Sequence, residues 1–346
     1  MALSLALPLA ACDLERPEET TTAPPPRVLA VHATTGIDSA GEPVLERIDV
    51  DASKSVLTTA HFELRFDRYL APRDVSRQAL CLRSAPEPVE SYEDCIGGVA
   101  LRPSYDPVRR VARFYLEGPA ARLAPDTLYT LSVHVPRGDA DLGFRAFDGA
   151  PLELGLELRF RTDADPRIDA RADGPPEGRR YCSDEHCVRR CMGEVLCLAR
   201  CAPGAREVLA SCAGGRCHGE RAEGGAAMGL ALDGEEALLS TAIEKVAHQT
   251  QVGPDADTPK INPLRFGSQM MLIAPGDAGS SYLLYKLLVH PEFDRVDDGL
   301  APGELERLRS FVVGMPMPLS GPRSAREQAE ALSDWIAAGA DVEACP

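Results

Sequence analysis

The chain has 346 residues, of which 44% are hydrophobic, so it is long enough for about two domains that each bury a core. Its formal net charge of −16 argues against binding to nucleic acid and to anionic membrane patches, because phosphate groups would repel the protein. The eleven cysteines indicate an oxidising compartment rather than the cytosol, where such a dense set of thiols is rare.

The chain begins with an apolar segment, residues 1–12, that ends in Leu9-Ala10-Ala11-Cys12. This ending resembles the lipobox of bacterial lipoproteins, which implies that Cys12 is acylated and anchors the protein to a membrane. The alternative is a chance apolar start, since no Lys or Arg precedes the short run. Residues 13–27 are rich in Pro, Thr and Glu and predict an extended tether. The expected location is therefore the cell envelope, outside the cytoplasm, in the periplasm or on the outer surface.

Residues 28–164 have the period-two hydrophobic pattern of half-buried antiparallel strands. Two segments carry this pattern most clearly, namely Phe62, Leu64 and Phe66, and then Leu152, Leu154, Leu156, Leu158 and Phe160. Regular turn signals separate these and further short strands, which predicts a β-sandwich.

Three stretches of this region, 62–75, 123–133 and 148–162, resemble the bacterial immunoglobulin-like domains of S-layer and surface proteins. The matching sequences are FELRFDRYLAPRDV, LAPDTLYTLSV and DGAPLELGLELRFRT. The resemblance implies an all-β spacer or docking module. Cys81 and Cys95 are the only cysteines of the region, and we expect them to form a disulfide.

Residues 165–180 are polar and contain Pro and Gly, which predicts a linker, and residues 181–204 form a cysteine-rich segment. Its i, i+4 cysteine pairs favour a disulfide-linked hairpin with rungs Cys187–Cys201 and Cys191–Cys197, and they leave Cys182 to pair with Cys345. A zinc or iron–sulfur site on the same cysteines is the alternative.

The sequence SCAGGRCHG, residues 211–219, places Cys212 four residues before Cys217-His218. Covalent attachment of a c-type haem needs two thiols and an adjacent histidine, and the usual motif has two intervening residues. Gly214 and Gly215 would permit the wider loop. A local disulfide between Cys212 and Cys217 is the alternative.

The sequences PGDAGSSYLLYKLL (275–288), GMPMPLS (314–320) and LSDWIAAGAD (332–341) follow in that order. Together with the cysteine motif they resemble the cytochrome c domains of planctomycete and myxobacterial exported proteins, over about residues 205–341. The resemblance implies that Cys212 and Cys217 hold haem c, that His218 is the proximal iron ligand, and that Met315 or Met317 is the distal one. His248 or His290 would replace the methionine in a bis-histidine site.

The predicted fold is multidomain, with an all-β immunoglobulin-like sandwich at 28–164 and a small, mostly α, cysteine-rich cytochrome c-like domain at 205–346. The predicted function is a membrane-tethered haem protein that exchanges electrons with a redox partner protein and performs no bond chemistry. The alternative is a cofactor-free surface lipoprotein that serves as a structural or partner-binding module. No sequence motif of a hydrolase or of a phosphate-binding loop supports an enzyme.

Overall fold

The computed structural model describes part of the chain, in blocks that cover most of the first half and several separate segments of the second. The described residues are 23–39, 43–50, 54–84, 95, 98–117, 122–138, 141–164, 203–213, 218–219, 226, 229–247, 270–290, 293, 299–312, 317 and 326–342. The candidate lipid, disulfide and haem-site residues that lie outside them are Cys12, Cys182, Cys187, Cys191, Cys197, Cys201, Cys217, His248, Met315 and Cys345.

Two β-sheets form the first part of the described structure. The strands are β1 (Val28–Ile37), β2 (Pro43–Arg47), β3 (Ser55–Val56), β4 (Phe62–Phe66), β5 (Leu80–Arg83), β6 (Leu101–Asp106), β7 (Val111–Leu116), β8 (Leu128–Val133) and β9 (Leu156–Thr162). One sheet has the order β2-β1-β4-β7-β6 and the other the order β3-β9-β8-β5. Neighbouring strands are antiparallel except β3 and β9, which are parallel.

Strand β4 confirms the period-two interpretation, because Phe62, Leu64 and Phe66 are all fully buried while the residues between them are half-exposed. The second predicted strand is only partly correct. β9 begins at Leu156, and Leu154 is 71% exposed. At Gly155 an added Cβ would lie 2.9 Å from the carbonyl oxygen of Val133, so the chain there approaches the end of β8 too closely for a side chain.

The two sheets share one apolar core. The Phe62 ring of one sheet lies 5.4 Å from the Phe160 ring of the other, between their centroids, and Phe144 contacts Phe66 and Phe114 from a connecting segment. A disulfide joins Cys81 on β5 to Cys95, as the sequence predicts. The bond ties Cys95 to the four-stranded sheet.

Five α-helices lie in the described part of the second half. They are α1 (Pro203–Cys212), α2 (Glu235–Thr241), α3 (Tyr282–Leu288), α4 (Glu304–Phe311) and α5 (Arg326–Ala337). Every residue of α3 is buried, and Trp335 of α5 is 0% exposed, with its indole N–H donating to the carbonyl oxygen of Asp341 at 2.9 Å. Of the helices that the structure describes, none is both long and apolar enough to cross a bilayer.

Helices α1 and α5 pack at close range. A Cβ added at Gly204 would lie 2.8 Å from the Cβ of Ala331, a distance that real side chains do not adopt. Glycine at this position therefore lets the first turn of α1 rest directly on α5.

The helices do not form a separate domain, because they share a core with loops that leave the sheets. Tyr69, Val108 and Phe147 belong to the same buried apolar cluster as the helices, and the Phe147 ring meets the Phe311 ring edge-on at 4.8 Å. The backbone at Gly279 also rests on Tyr105 of β6, where an added Cβ would meet the Tyr105 Cβ at 2.9 Å.

Two ion pairs reinforce this contact, the first fully buried and the second partly buried. The fully buried Arg68 donates through Nε to Glu304 at 2.7 Å and also binds Asp148, and Glu304 accepts the backbone N–H of Tyr69 at 2.9 Å. A second pair joins Arg109 to Asp334 of α5 at 2.9 Å and 3.1 Å.

The predicted fold class is therefore wrong. The described residues do not form an all-β domain followed by an independent cytochrome c-like domain; they form sheets and helices joined by a common core and by buried charges. Local periodicity and the polar composition of residues 165–180 led to the expectation of two linked units. The contacts that overturn it, such as Arg68 with Glu304, join residues more than 200 positions apart and leave no local pattern.

Candidate functional site

A cavity of about 350 Å³ lies among the helices, within the range of roughly 300–1,000 Å³ that is typical of small-molecule sites. Its described walls are mostly apolar. They are formed by Cys212, His218, Gly229, Leu230, Leu232, Ser240, Thr241, Lys245, Val246, Ala247, Leu272, Tyr282, Leu283, Lys286 and Met317. Residues from four separate stretches of the chain thus converge on one space.

His218 is held in this wall by hydrogen bonds on both its backbone and its ring. Its N–H donates to the carbonyl oxygen of Cys212 at 3.2 Å, and its own carbonyl accepts from the N–H of Leu232 at 2.7 Å. Its ring nitrogen Nδ1 lies 3.1 Å from the carbonyl oxygen of Leu230. A carbonyl oxygen only accepts, so Nδ1 is the donor, and the other nitrogen, Nε2, keeps a lone pair that can bind a metal.

The Leu230 carbonyl is itself fixed by its neighbour. The hydroxyl of Thr241, at the end of α2, donates to the carbonyl oxygen of Ala231 at 2.7 Å and accepts the Ala231 N–H at 3.0 Å. This pair of hydrogen bonds joins the 229–232 segment to α2. The orientation of the His218 ring therefore depends on the position of α2.

Cys212 and Met317 are distant in the sequence and both line the cavity. Cys212 is the last residue of α1 and is 2% exposed. The N–H of Met317 donates to the carbonyl oxygen of Lys286 at 3.2 Å, which places this methionine beside α3. A thiol, an imidazole with one free nitrogen and a thioether thus border the same space.

Two lysines border the cavity as well. Lys286 is only 5% exposed, and its burial lowers its pKa from 10.5 to about 8, so its amine still carries charge at neutral pH. Lys245 is exposed at the rim. No Asp or Glu is among the described residues that line the cavity.

The structure brings together three of the five predicted haem-site residues, Cys212, His218 and Met317, while Cys217 and Met315 lie outside the described residues. His290 is described but does not line the cavity, so it does not take the distal position there. The sequence interpretation missed Lys286. The signal was a single charged residue inside the otherwise apolar helix YLLYKLL, where every side chain is buried.

Within the part of the chain that the structure describes, no group of three or more His, Cys, Asp or Glu side chains gathers in a way that could hold a bare metal ion. A haem iron does not need such a group, because the porphyrin supplies four nitrogen ligands and the protein only the axial ones. A thioether and an imidazole with a free Nε2 are side chains of the kinds that bind haem iron, and both border this mostly apolar cavity.

No family model matches the chain, and no curated protein matches it. Among solved structures, the chain is similar to the N-terminal part of the bacterial S-layer protein SbsC, with 10% identity and a TM-score of 0.22. The alignment covers 30% of this chain and 20% of that chain, so the chain spans far less than two thirds of that structure. A likeness this distant supports no conclusion about fold or function.

Proposed function

We propose that this protein is an extracytoplasmic electron carrier that holds one c-type haem in the cavity between α1, α2 and α3. The observation that carries the proposal is that one apolar cavity gathers Cys212, His218 and Met317. The sequence motifs single out the same three residues, although about a hundred positions separate the histidine from the methionine.

Each residue has a distinct role in this proposal. Cys212 and Cys217 would form the thioether links to the haem, and His218 through Nε2 together with Met317, or Met315 in its place, would hold the iron. A bound haem supplies a one-electron redox couple. The hydrogen bond from Nδ1 to the Leu230 carbonyl holds the imidazole in the tautomer that leaves Nε2 free.

The walls of the cavity serve the same function. Leu230, Leu272 and Leu283 are among the side chains that exclude water from the bound group. Exclusion of water and a neutral thioether ligand both favour the reduced iron and so raise the reduction potential. The protein thereby tunes a potential and needs no catalytic acid or base.

The test is expression of the full chain with and without cytochrome c maturation proteins in the bacterial periplasm, followed by a pyridine haemochrome assay on denatured protein. We expect covalently bound haem only with the maturation proteins, at one haem per chain. His218→Ala should abolish a low-spin spectrum, whereas the matched variant His290→Ala should leave the spectrum unchanged.

The methionine assignment has its own control. Met317→Leu should remove the thioether-to-iron absorption band, and Met271→Leu, at a 37% exposed methionine away from the cavity, should retain it. A wild-type protein that carries no haem after maturation would contradict the proposal and favour the cofactor-free surface module.

A further inference from the structure

Residues 24–27 contact the junction between the sheets and the helices, and we call them the N-terminal strap. Arg27 binds both side-chain oxygens of Asp67, through its backbone N–H at 2.7 Å and its Nε at 2.9 Å. The N–H of Asp67 donates in turn to the carbonyl oxygen of Arg27 at 3.1 Å. One residue further along, Arg68 donates to the carbonyl oxygen of Pro24. Hydrogen bonds therefore hold the strap at both of its ends.

The residues that bind the strap also bind α4. The carbonyl oxygen of Asp67 accepts the N–H of Ala301, just before the helix, at 2.7 Å. Arg68 and the backbone N–H of Tyr69 both donate to Glu304, the first residue of α4. Three consecutive residues of the chain therefore connect the strap to this helix.

The carboxylate of Asp67 depends on the strap. Asp67 is 2% exposed, and both of the side-chain hydrogen bonds that the described structure gives it come from Arg27, which is 66% exposed. Departure of the strap removes these donors and leaves a carboxylate that needs water in their place. Water that enters here also reaches Arg68, and it weakens the ion pair with Glu304 by screening it. Loss of the strap therefore weakens the attachment of α4.

Helix α4 in turn supports one wall of the cavity. Arg309 of α4 donates at 3.1 Å to the carbonyl oxygen of Val289, the residue that ends α3. Leu308 is 0% exposed and belongs to the same buried cluster as α3. Helix α3 contributes Tyr282 and Leu283 to the wall. Displacement of α4 therefore removes contacts that hold α3 at the cavity.

We propose that the N-terminal strap is a latch for the cavity. While the strap is bound to Asp67 and Arg68, α4 stays docked on the sheets; its release loosens α4 and then α3, and the cavity opens. Access to the cavity is thus controlled by the segment that precedes β1. This inference goes beyond the proposed function and does not depend on which molecule occupies the cavity.

Hydrogen exchange of the full chain, measured by mass spectrometry, tests the latch, because native-state exchange reports the opening of individual elements. Arg27→Ala removes the guanidinium that faces Asp67, so we expect the amides of α4 and α3 to exchange at least about tenfold faster. Arg27→Lys keeps the charge without the planar fork and should give an intermediate rate. Strand β5 should exchange at the wild-type rate in both variants.

The matched control is Arg161→Ala. Arg161 is 56% exposed, much like Arg27, but its partner Asp126 is also exposed, at 3.0 Å. This variant should leave the exchange of α4 and α3 unchanged. Equal exchange of α4 in the wild type and in Arg27→Ala would overturn the latch. The same acceleration in α4 and β5 would also overturn it, since that result indicates a general loss of stability.

Asp67→Asn provides a second test, because it removes the buried charge that requires the strap. In this background, we expect Arg27→Ala to accelerate the exchange of α4 by less than about twofold, since residues in direct contact are not additive. An undiminished effect of Arg27→Ala would show that Arg27 acts through another contact and would overturn the proposal. Faster exchange of α4 with unchanged exchange of α3 would overturn the link to the cavity.

Discussion

Buried charges on β4, β6 and β7 form a chain of contacts at the scale of single residues. Arg113 binds Glu63 at 2.8 Å and Asp106 at 3.3 Å, and Arg109 continues the chain from Asp106 to Asp334 of α5. Burial opposes ionisation of Asp106, but the charges of Arg113 and Arg109 outweigh it and hold its pKa below the usual value. Each charged side chain in this series of contacts offsets the free-energy cost of burying the next charge.

Glu63 gives this chain a measurable pH dependence. Burial raises the pKa of Glu63, but the nearby His61 ring and the Arg113 guanidinium outweigh it and lower the pKa from 4.5 to about 2. The unfolded chain therefore takes up this proton first as the pH falls. The stabilisation, up to about 3 kcal/mol, is fully present above pH 4.5 and is lost as the pH falls towards 2.

We expect Glu63→Gln to reduce the loss of unfolding free energy between pH 6 and pH 3, as measured by urea denaturation at each pH. The matched control is Glu117→Gln, because Glu117 pairs with Arg77 at 3.2 Å where both side chains are about half exposed. Equal pH slopes for the wild type and Glu63→Gln would contradict the assignment.

At the scale of elements, the contact between α1 and α5 positions Cys212, because α1 ends at that residue. Gly204→Ala introduces a Cβ 2.8 Å from that of Ala331, and we expect a loss of about 1–2 kcal/mol in unfolding free energy from overpacking. Ala331→Gly in the same chain should restore part of it. Gly138→Ala, where an added Cβ meets nothing within 4 Å, serves as the control.

A double-mutant cycle measures this coupling by thermal or urea unfolding. Additive effects of Gly204→Ala and Ala331→Gly would show that the helices do not meet at these positions. If the cavity holds a haem, the wider helix spacing that Gly204→Ala forces should also alter its spectrum, since Cys212 lies at the end of the displaced helix.

Elements with a strong local pattern were predictable from the sequence, and their ends were less so. β4 follows its alternation along its whole length, but β9 starts four residues later than the pattern indicates, because Gly155 crosses close to β8. The helical spacing of Leu283, Leu284, Leu287 and Leu288 is typical of a core helix, and α3 is a buried helix in the structure. It did not show that Lys286 lies at a cavity, since that depends on segments that are distant in the sequence.

At the scale of the whole molecule, sheets and helices behave as one folded unit. Motifs alone nominated Cys212, His218 and Met317, because their chemistry is visible in residue types. The contact between the sheets and the helices depends on Arg68, Glu304 and Phe147. Their partners lie too far away in the sequence for a local pattern to predict the contact. Domain separation was therefore the least predictable feature.

Glu304→Gln tests this union. Removal of one partner from a buried ion pair leaves Arg68 poorly compensated, and we expect a loss of about 3 kcal/mol. Trp335, the single tryptophan, reports on the helices, and hydrogen exchange of β4 reports on the sheets. The Trp335 signal and the hydrogen exchange of β4 should change over the same range of urea concentration. Glu306→Gln, on the same helix but 81% exposed, is the control, and two separate transitions would contradict a single unit.

The membrane attachment is tested at the same scale. If Cys12 carries lipid, Cys12→Ala should move the protein from the membrane fraction to the soluble fraction and from the detergent phase to the aqueous phase on Triton X-114 partitioning. Thr20→Ala, in the adjoining tether, should remain with the membrane. Unchanged fractionation of Cys12→Ala would contradict the lipid anchor.

Arg68 connects the N-terminal segment to the rest of the protein, because its guanidinium also donates a hydrogen bond to the carbonyl oxygen of Pro24. Twelve residue-to-residue steps lead from Cys12 to Pro24, and they span at most about 43 Å when fully stretched. A force applied at a lipid anchor would then act on the protein where the sheets meet the helices, and Arg68 would transmit it to both. If the protein carries lipid at Cys12 and haem in the cavity, the length of this segment limits the distance of the haem from the membrane, and a redox partner would have to meet it close to the membrane surface.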